Sequence, residues 1–153
     1  MGLDMYLTAK RHLSHRQGDD ELSLQIGKLV CGRDVCIGTW SVEARVGYWR
    51  KANAIHRWFV KNVQNGMDKC REHAVERKAL LELLDLCLEA LADKQAAVEK
   101  DLLPPQGGFF FGSLKRDEYY WETLEDTVKI LQEATSEEKW PENKWDFYYL
   151  ASW

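Results

Sequence analysis

The chain has 153 residues, of which 45% are hydrophobic and 30% charged, with only three prolines and ten glycines. That supports one domain with its own core and argues against a second domain, low complexity or extended disorder. A formal net charge of −4, from 21 Lys+Arg against 25 Asp+Glu, gives the whole molecule no basic footprint and argues against a nucleic-acid partner.

Asp4 stands where a secretory signal needs an apolar core, and no run approaches the ~18 apolar residues of a membrane span. The expected place is therefore the cytoplasm, with no membrane partner. Gly2 suggests myristoylation, but Tyr6 occupies the position that should hold Ser or Thr, so the motif fails. Cys31, Cys36, Cys70 and Cys87 are expected to be reduced thiols.

Leu3 to Thr8 alternates apolar and polar side chains, the pattern of a half-buried strand. Residues 9 to 25 are polar and charged, with Gly18-Asp19-Asp20 as a turn signal, and read as an exposed loop or short helical turn. Lys28–Cys31 and Val35–Trp40 flank Gly32-Arg33-Asp34 as the two short strands of a hairpin.

From Arg45 to Gln64 the period changes, which predicts a helix. Tyr48, Ala52, Ile55, Phe59 and Val63 form one stripe of it, and Trp49, Asn53, His56 and Val60 the adjacent one. Asn65-Gly66 ends that helix. Asp68 is placed to cap a short segment containing Cys70, and a helix over roughly 76 to 92 follows, with Leu80, Leu84, Cys87, Leu88 and Leu91 on one face. Ala96 to Leu102 adds a turn or two before Pro104-Pro105 breaks it.

Residues 104–113 read as a loop carrying Phe109, Phe110 and Phe111 between glycines. All three rings cannot point one way, and the default reading is that the segment closes over the core; a ligand pocket or contact surface are the alternatives. Asp117 caps a helix with Trp121, Leu124, Val128 and Leu131 as its buried stripe, and Trp145 to Ala151 reads as a final strand. The order predicts an α+β fold: an antiparallel sheet of about four strands, the first and last adjacent, with about three helices on one face.

For chemistry, Trp49, Asn53 and His56 on one helical stripe, flanked by Arg50 and Lys51, could stack a ring and hold a phosphate or carboxylate. The competing reading has Asn53 and His56 hydrogen-bonded inside a mixed core. The cations Arg45, Arg50, Lys51, Arg57 and Lys61 ride on the same predicted helix, where a solvated face is the commoner explanation. His12 with His15, and Cys31 with Cys36, allow a zinc site to be drawn, but their order and gaps match no common arrangement, so neither metal nor other cofactor is expected. Carboxylates crowd the helix after Asp117, where they favour its dipole, and no nucleophile elbow, Cys-His dyad or phosphate loop is present.

Met1-Gly2-Leu3-Asp4-Met5-Tyr6-Leu7, the run from Tyr48 to His56 with Trp58-Phe59-Val60, and Gly108 to Ser113 with Asp117 to Tyr120 are distinctive strings. Together they resemble a family of small hypothetical proteins found widely in bacteriophage and bacterial genomes, over most of the chain outside residues 9 to 40. The resemblance implies a phage-type accessory protein in the bacterial cytoplasm, where interference with host defence is a common task; it carries no mechanism.

The leading expectation is a non-enzymatic binder that sequesters a nucleotide-like or anionic small molecule. Its ligand-binding residues would be Trp49, Arg50, Asn53, His56, Phe109, Phe110, Phe111 and Tyr120. The alternatives are an inhibitor that binds a host protein and a small hydrolase with His56 as base. A homo-oligomer is left open.

Overall fold

A computed structural model of the chain describes residues 2–14, 21–32 and 39–153. Its elements are β1 (Asp4–Ser14), α1 (Glu21–Cys31), β2 (Thr39–Arg50), α2 (Asn53–Asn62), β3 (His73–Val75), α3 (Arg77–Ala92), α4 (Lys94–Glu99), α5 (Glu118–Ala134) and β4 (Asp146–Ser152). The four strands form one antiparallel sheet in the order β2-β1-β4-β3. The first and last strands are thus neighbours, with Asp4 opposite Ser152 and Lys10 opposite Asp146. The fold is α+β, as the element order predicts.

Period-two alternation decides which face of the sheet is covered. Leu3, just before β1, and Met5, Leu7 and Ala9 within it are buried with Phe147, Tyr149 and Ala151 of β4. In the same cluster lie Ile55 and Phe59 of α2, Leu80, Leu83 and Cys87 of α3, and Leu124 and Leu131 of α5. Phe59 stacks flat on Tyr149, centroids 3.9 Å apart and planes 8° from parallel, and so fixes α2 against the middle of β4. On the other face the Arg45 guanidinium lies 4.4 Å from the Tyr6 ring centre, and Lys10 bridges Glu43 and Glu72.

Several predicted elements differ. Lys28–Cys31 is the last turn of α1 and not a hairpin strand; the second strand of that hairpin falls partly on residues 33–38, outside the described residues. Residues 9–14 continue β1 and 21–25 begin α1, while the turn signal at Gly18-Asp19-Asp20 lies outside the described residues. The helix predicted from Arg45 begins only at Asn53, because Thr39–Arg50 pairs with β1 along its whole length. Long-range pairing of a segment rich in β-favouring side chains outweighs a three-and-four spacing that helix and strand can share over so few residues. Asp68 caps no helix; the segment from there to β3 has no regular structure and bends at Cys70 and Arg71. On the last helix Leu124 and Leu131 are buried as predicted, whereas Tyr120 and Thr127 are buried in place of Trp121 and Val128, which pack half-buried against the core.

Gly47 sits beside the β1–β2 register shift at Leu7/Thr8, and a Cβ there would lie 2.6 Å from Ile130 Cγ2 and 3.2 Å from Leu7 Cβ. The missing side chain lets α5 approach the sheet. Gly47→Val is expected to destabilise the fold by roughly 1–3 kcal/mol, read as a lower urea midpoint at constant slope; an unchanged midpoint would show that α5 lifts away without cost.

Candidate functional site

The chain turns from β2 into α2 in two residues. Lys51 takes a left-handed backbone (φ 55°), its N–H donates to Leu3 O at 2.7 Å, and Ala52 stands at the N-cap without a capping side chain. The turn puts Trp49 and Arg50 on a strand and Asn53 and His56 on a helix, so the four do not share the predicted stripe.

Each polar group among them has an internal use. Trp49 is buried and its Nε1–H donates to Thr127 Oγ1 at 2.9 Å. The buried Asn53 amide donates to Phe111 O at 3.0 Å and to Ser113 O at 2.9 Å, and its Oδ1 accepts from Gln106 N at 3.3 Å. His56 has no solvent exposure. Its Nε2 lies 3.0 Å from Asp68 Oδ2 and its Nδ1 2.8 Å from Tyr149 Oη. A carboxylate only accepts, so Nε2 carries the proton and Nδ1 accepts from the phenol. The ring is enclosed by Phe111 and Trp153, at centroid distances of 5.2 and 5.7 Å. Arg50 keeps an exposed side chain, while its carbonyl accepts from Tyr119 Oη at 2.6 Å.

The three phenylalanines part company: Phe111 is buried beside His56, whereas Phe110 is 38% and Phe109 92% exposed. Core closure therefore holds for one ring of three. Tyr120 is buried and its hydroxyl donates to Leu103 O at 2.9 Å. Asn53 and Tyr120 line a cleft at the start of α2 with Lys51, Ser113, Lys115 and Tyr119, but its volume of about 20 Å³ leaves room for a single water-sized group.

A larger groove lies along the outer side of α2, about 480 Å³ in volume, within the roughly 300–1,000 Å³ of small-molecule sites. Trp58, Leu86 and Leu103 supply its apolar lining; Arg57 and Lys61, one helical turn apart, and Lys100 supply its charge. Lys100 pairs with Glu89 at 2.9 Å and Asp101 with Arg116 at 2.8 Å. Among the described residues Arg57 and Lys61 pair with no carboxylate; the nearest partner is Pro105 O, 3.4 Å from Arg57 Nη1. The opposite wall is strained: Asp101 (φ 52°) and Leu103 (φ 45°) are both left-handed. Arg116 holds it by donating to Leu102 O at 2.9 Å as well as to Asp101, together with the Tyr120 bond to Leu103. The sequence signal for this groove is the Arg57/Lys61 spacing; its other wall comes from forty residues further on and has no local signature.

His15 and Cys36 lie outside the described residues, and among those described no cluster of three His, Cys, Asp or Glu could hold a metal. No helix among them is long and apolar enough to cross a membrane. No family model, curated protein or solved structure matches the chain.

Tyr149→Phe would leave His56 Nδ1 buried without a donor, and is expected to cost about 1–3 kcal/mol in chemical denaturation; a neutral effect would mean that another donor reaches the ring. Burial, and secondarily the Asp68 charge, holds the Tyr149 phenol well above its ordinary 10.0. Burial likewise pushes the Cys87 thiol up from 9.0 to about 12. Both groups keep in the fold protons that the unfolded chain releases, so their contribution is complete below the ordinary values and falls as pH climbs past them. The urea midpoint should therefore drop as pH is raised through 9.0 and then 10.0, and a flat profile would refute the assignment.

Proposed function

We propose that the protein is a non-enzymatic binder that captures a nucleotide-like or similarly anionic small molecule in the groove beside α2 and keeps it from other users. The observation that carries this reading is the uncompensated Arg57–Lys61 pair on a groove of ligand size. Like charges one turn apart on a helix repel, and an anion between them removes the repulsion. A guanidinium can meet a phosphate or carboxylate in bidentate fashion while the lysine adds a point charge. Trp58, Leu86 and Leu103 offer apolar cover to the less polar part of the ligand.

Binding is favoured over hydrolysis because the groove lining includes no His, Ser or Cys, and its one carboxylate, Asp101, is engaged by Arg116. His56, the base of the rival reading, has both ring nitrogens occupied and no exposure. Of the residues expected to touch the ligand, Tyr120 and Asn53 act here as supports of the wall and of the segment that follows it. The resemblance to phage and bacterial proteins suggests a host-defence signal as the captured molecule.

Calorimetry and thermal-shift measurements against a panel of nucleotides, including cyclic and ADP-ribose-type molecules, test the reading. At least one is expected to bind. Arg57→Glu with Lys61→Glu should weaken that binding about tenfold or more, since each charge-assisted contact is worth roughly 1.5–3 kcal/mol and 1.4 kcal/mol is one decade. Silence from the whole panel, or affinity indifferent to the double reversal, would remove the proposal.

A further inference from the structure

We propose that the Phe109–Phe110 tip of one molecule docks into the hollow between β3, α3 and β4 of a second copy, so that the protein assembles head to tail. The tip is built for presentation. Phe111 N donates to Gly108 O at 3.2 Å, closing a turn with Phe109 and Phe110 at its corners, and their rings pack edge to face at 4.5 Å. The turn is tied down by Asn53 and by Leu3 N donating to Phe110 O at 3.4 Å. Leu114, 60% exposed, extends the apolar surface. An exposed apolar patch is costly in a free molecule, and a turn already closed and anchored has less backbone entropy to lose on docking. Lys51 and Lys115 flank it, the Gly112 Cβ position being 3.3 Å from Lys51 Cβ, and neither lysine has a carboxylate partner among the described residues.

The receiving hollow has a volume of about 420 Å³ and an apolar floor that includes Val75, Trp145 and Phe147. Its rim carries Glu76, Glu142 and Asp146, none with a cation at ion-pair distance among the described residues. The two cations that also line it are engaged elsewhere. Arg77 donates to Thr135 O at 2.7 Å, lies over the Phe147 ring and faces Glu137; Lys78 is 3.9 Å from Glu82. Charge and apolarity therefore complement each other across the two patches.

Position in the fold makes the contact intermolecular. The tip is fastened beside Leu3, at the end of the sheet where Asp4 faces Ser152, and the hollow lies at the other end, where Lys10 faces Asp146. Six strand residues separate those ends, about 20 Å, so a molecule cannot fill its own hollow. Two different patches joined this way form a heterologous interface, which closes into a ring or continues as a filament.

Sedimentation velocity of the full chain from micromolar to near-millimolar concentration is the test. Multiples of 17.9 kDa are expected, dissociating as salt is raised. Phe109→Asp, at an exposed position, and Glu142→Lys with Asp146→Lys should each give a folded monomer with self-affinity at least tenfold weaker. Mixing the two should restore a one-to-one dimer, because each keeps one intact patch. A monomer throughout, oligomers untouched by either variant, or a mixture that stays monomeric would overturn the proposal; so would a tip that binds only a foreign protein or a lipid vesicle.

Discussion

The side-chain amide of Asn53 holds the 106–113 segment to the body of the protein. That segment contains three glycines and makes no regular backbone ladder, so its polar groups need partners from elsewhere. One amide satisfies Gln106 N, Phe111 O and Ser113 O together, using its acceptor and both donors. Upstream of these bonds lies the wall of the α2 groove; within them lies the phenylalanine turn. Both depend on Asn53 standing in the first turn of α2, and hence on the abrupt change from strand to helix at Lys51–Ala52.

A second buried polar element lies one turn further along the same face of the helix. His56 joins Tyr149 of β4 to Asp68 of the segment after α2, inside a shell of aromatic rings. Desolvating an imidazole is expensive unless both nitrogens are bonded, and here both are. The arrangement has the composition of a catalytic relay, yet a base acts only if one nitrogen can reach a substrate proton. With the phenol on one side, the carboxylate on the other and no exposure, both ring nitrogens of His56 are engaged in internal bonds.

Much of the architecture was legible in the sequence because it rests on local pattern. The alternation of Leu3 to Leu7, the α3 face of Leu80, Leu84 and Cys87, the Asp117 cap and the closing β4 strand each follow from side chains a few residues apart, although Leu88, expected on that α3 face, is exposed. The failure that matters most for the site has a long-range cause. Residues 39–50 are a strand because β1 lies beside them, and the paired residues stand 25 to 46 positions apart, from Ser14–Thr39 to Asp4–Arg50. Moving the helix start from Arg45 to Asn53 took Trp49 and Arg50 off the supposed ligand face. The choice between a polar site and a satisfied core was likewise open in sequence, since the partners of Asn53 and His56 lie 53 to 93 positions away, apart from Asp68. The Phe109 to Phe111 run does not bury all three rings on one face, as alternation requires, but the core closure expected of the segment holds for Phe111 alone.

Net charge, read as a single number, hides how the charges are arranged. Lys51 and Lys115 stand at the tip, Arg57 and Lys61 on the groove, and Glu76, Glu142 and Asp146 at the far end of the sheet. The groove adds a subtler bias in its backbone. In the left-handed wall at Asp101 and Leu103, Arg116 and Tyr120 donate to Leu102 O and Leu103 O. Those two acceptors are therefore used up in holding the strained turn, as is the Asp101 carboxylate. A ligand rich in donors would find few partners there, whereas one carrying acceptors meets Arg57 and Lys61 unopposed. The bonds that offset the strain thus leave no carboxylate of the lining free to compete for Arg57 and Lys61, the bias that the proposed anion site requires.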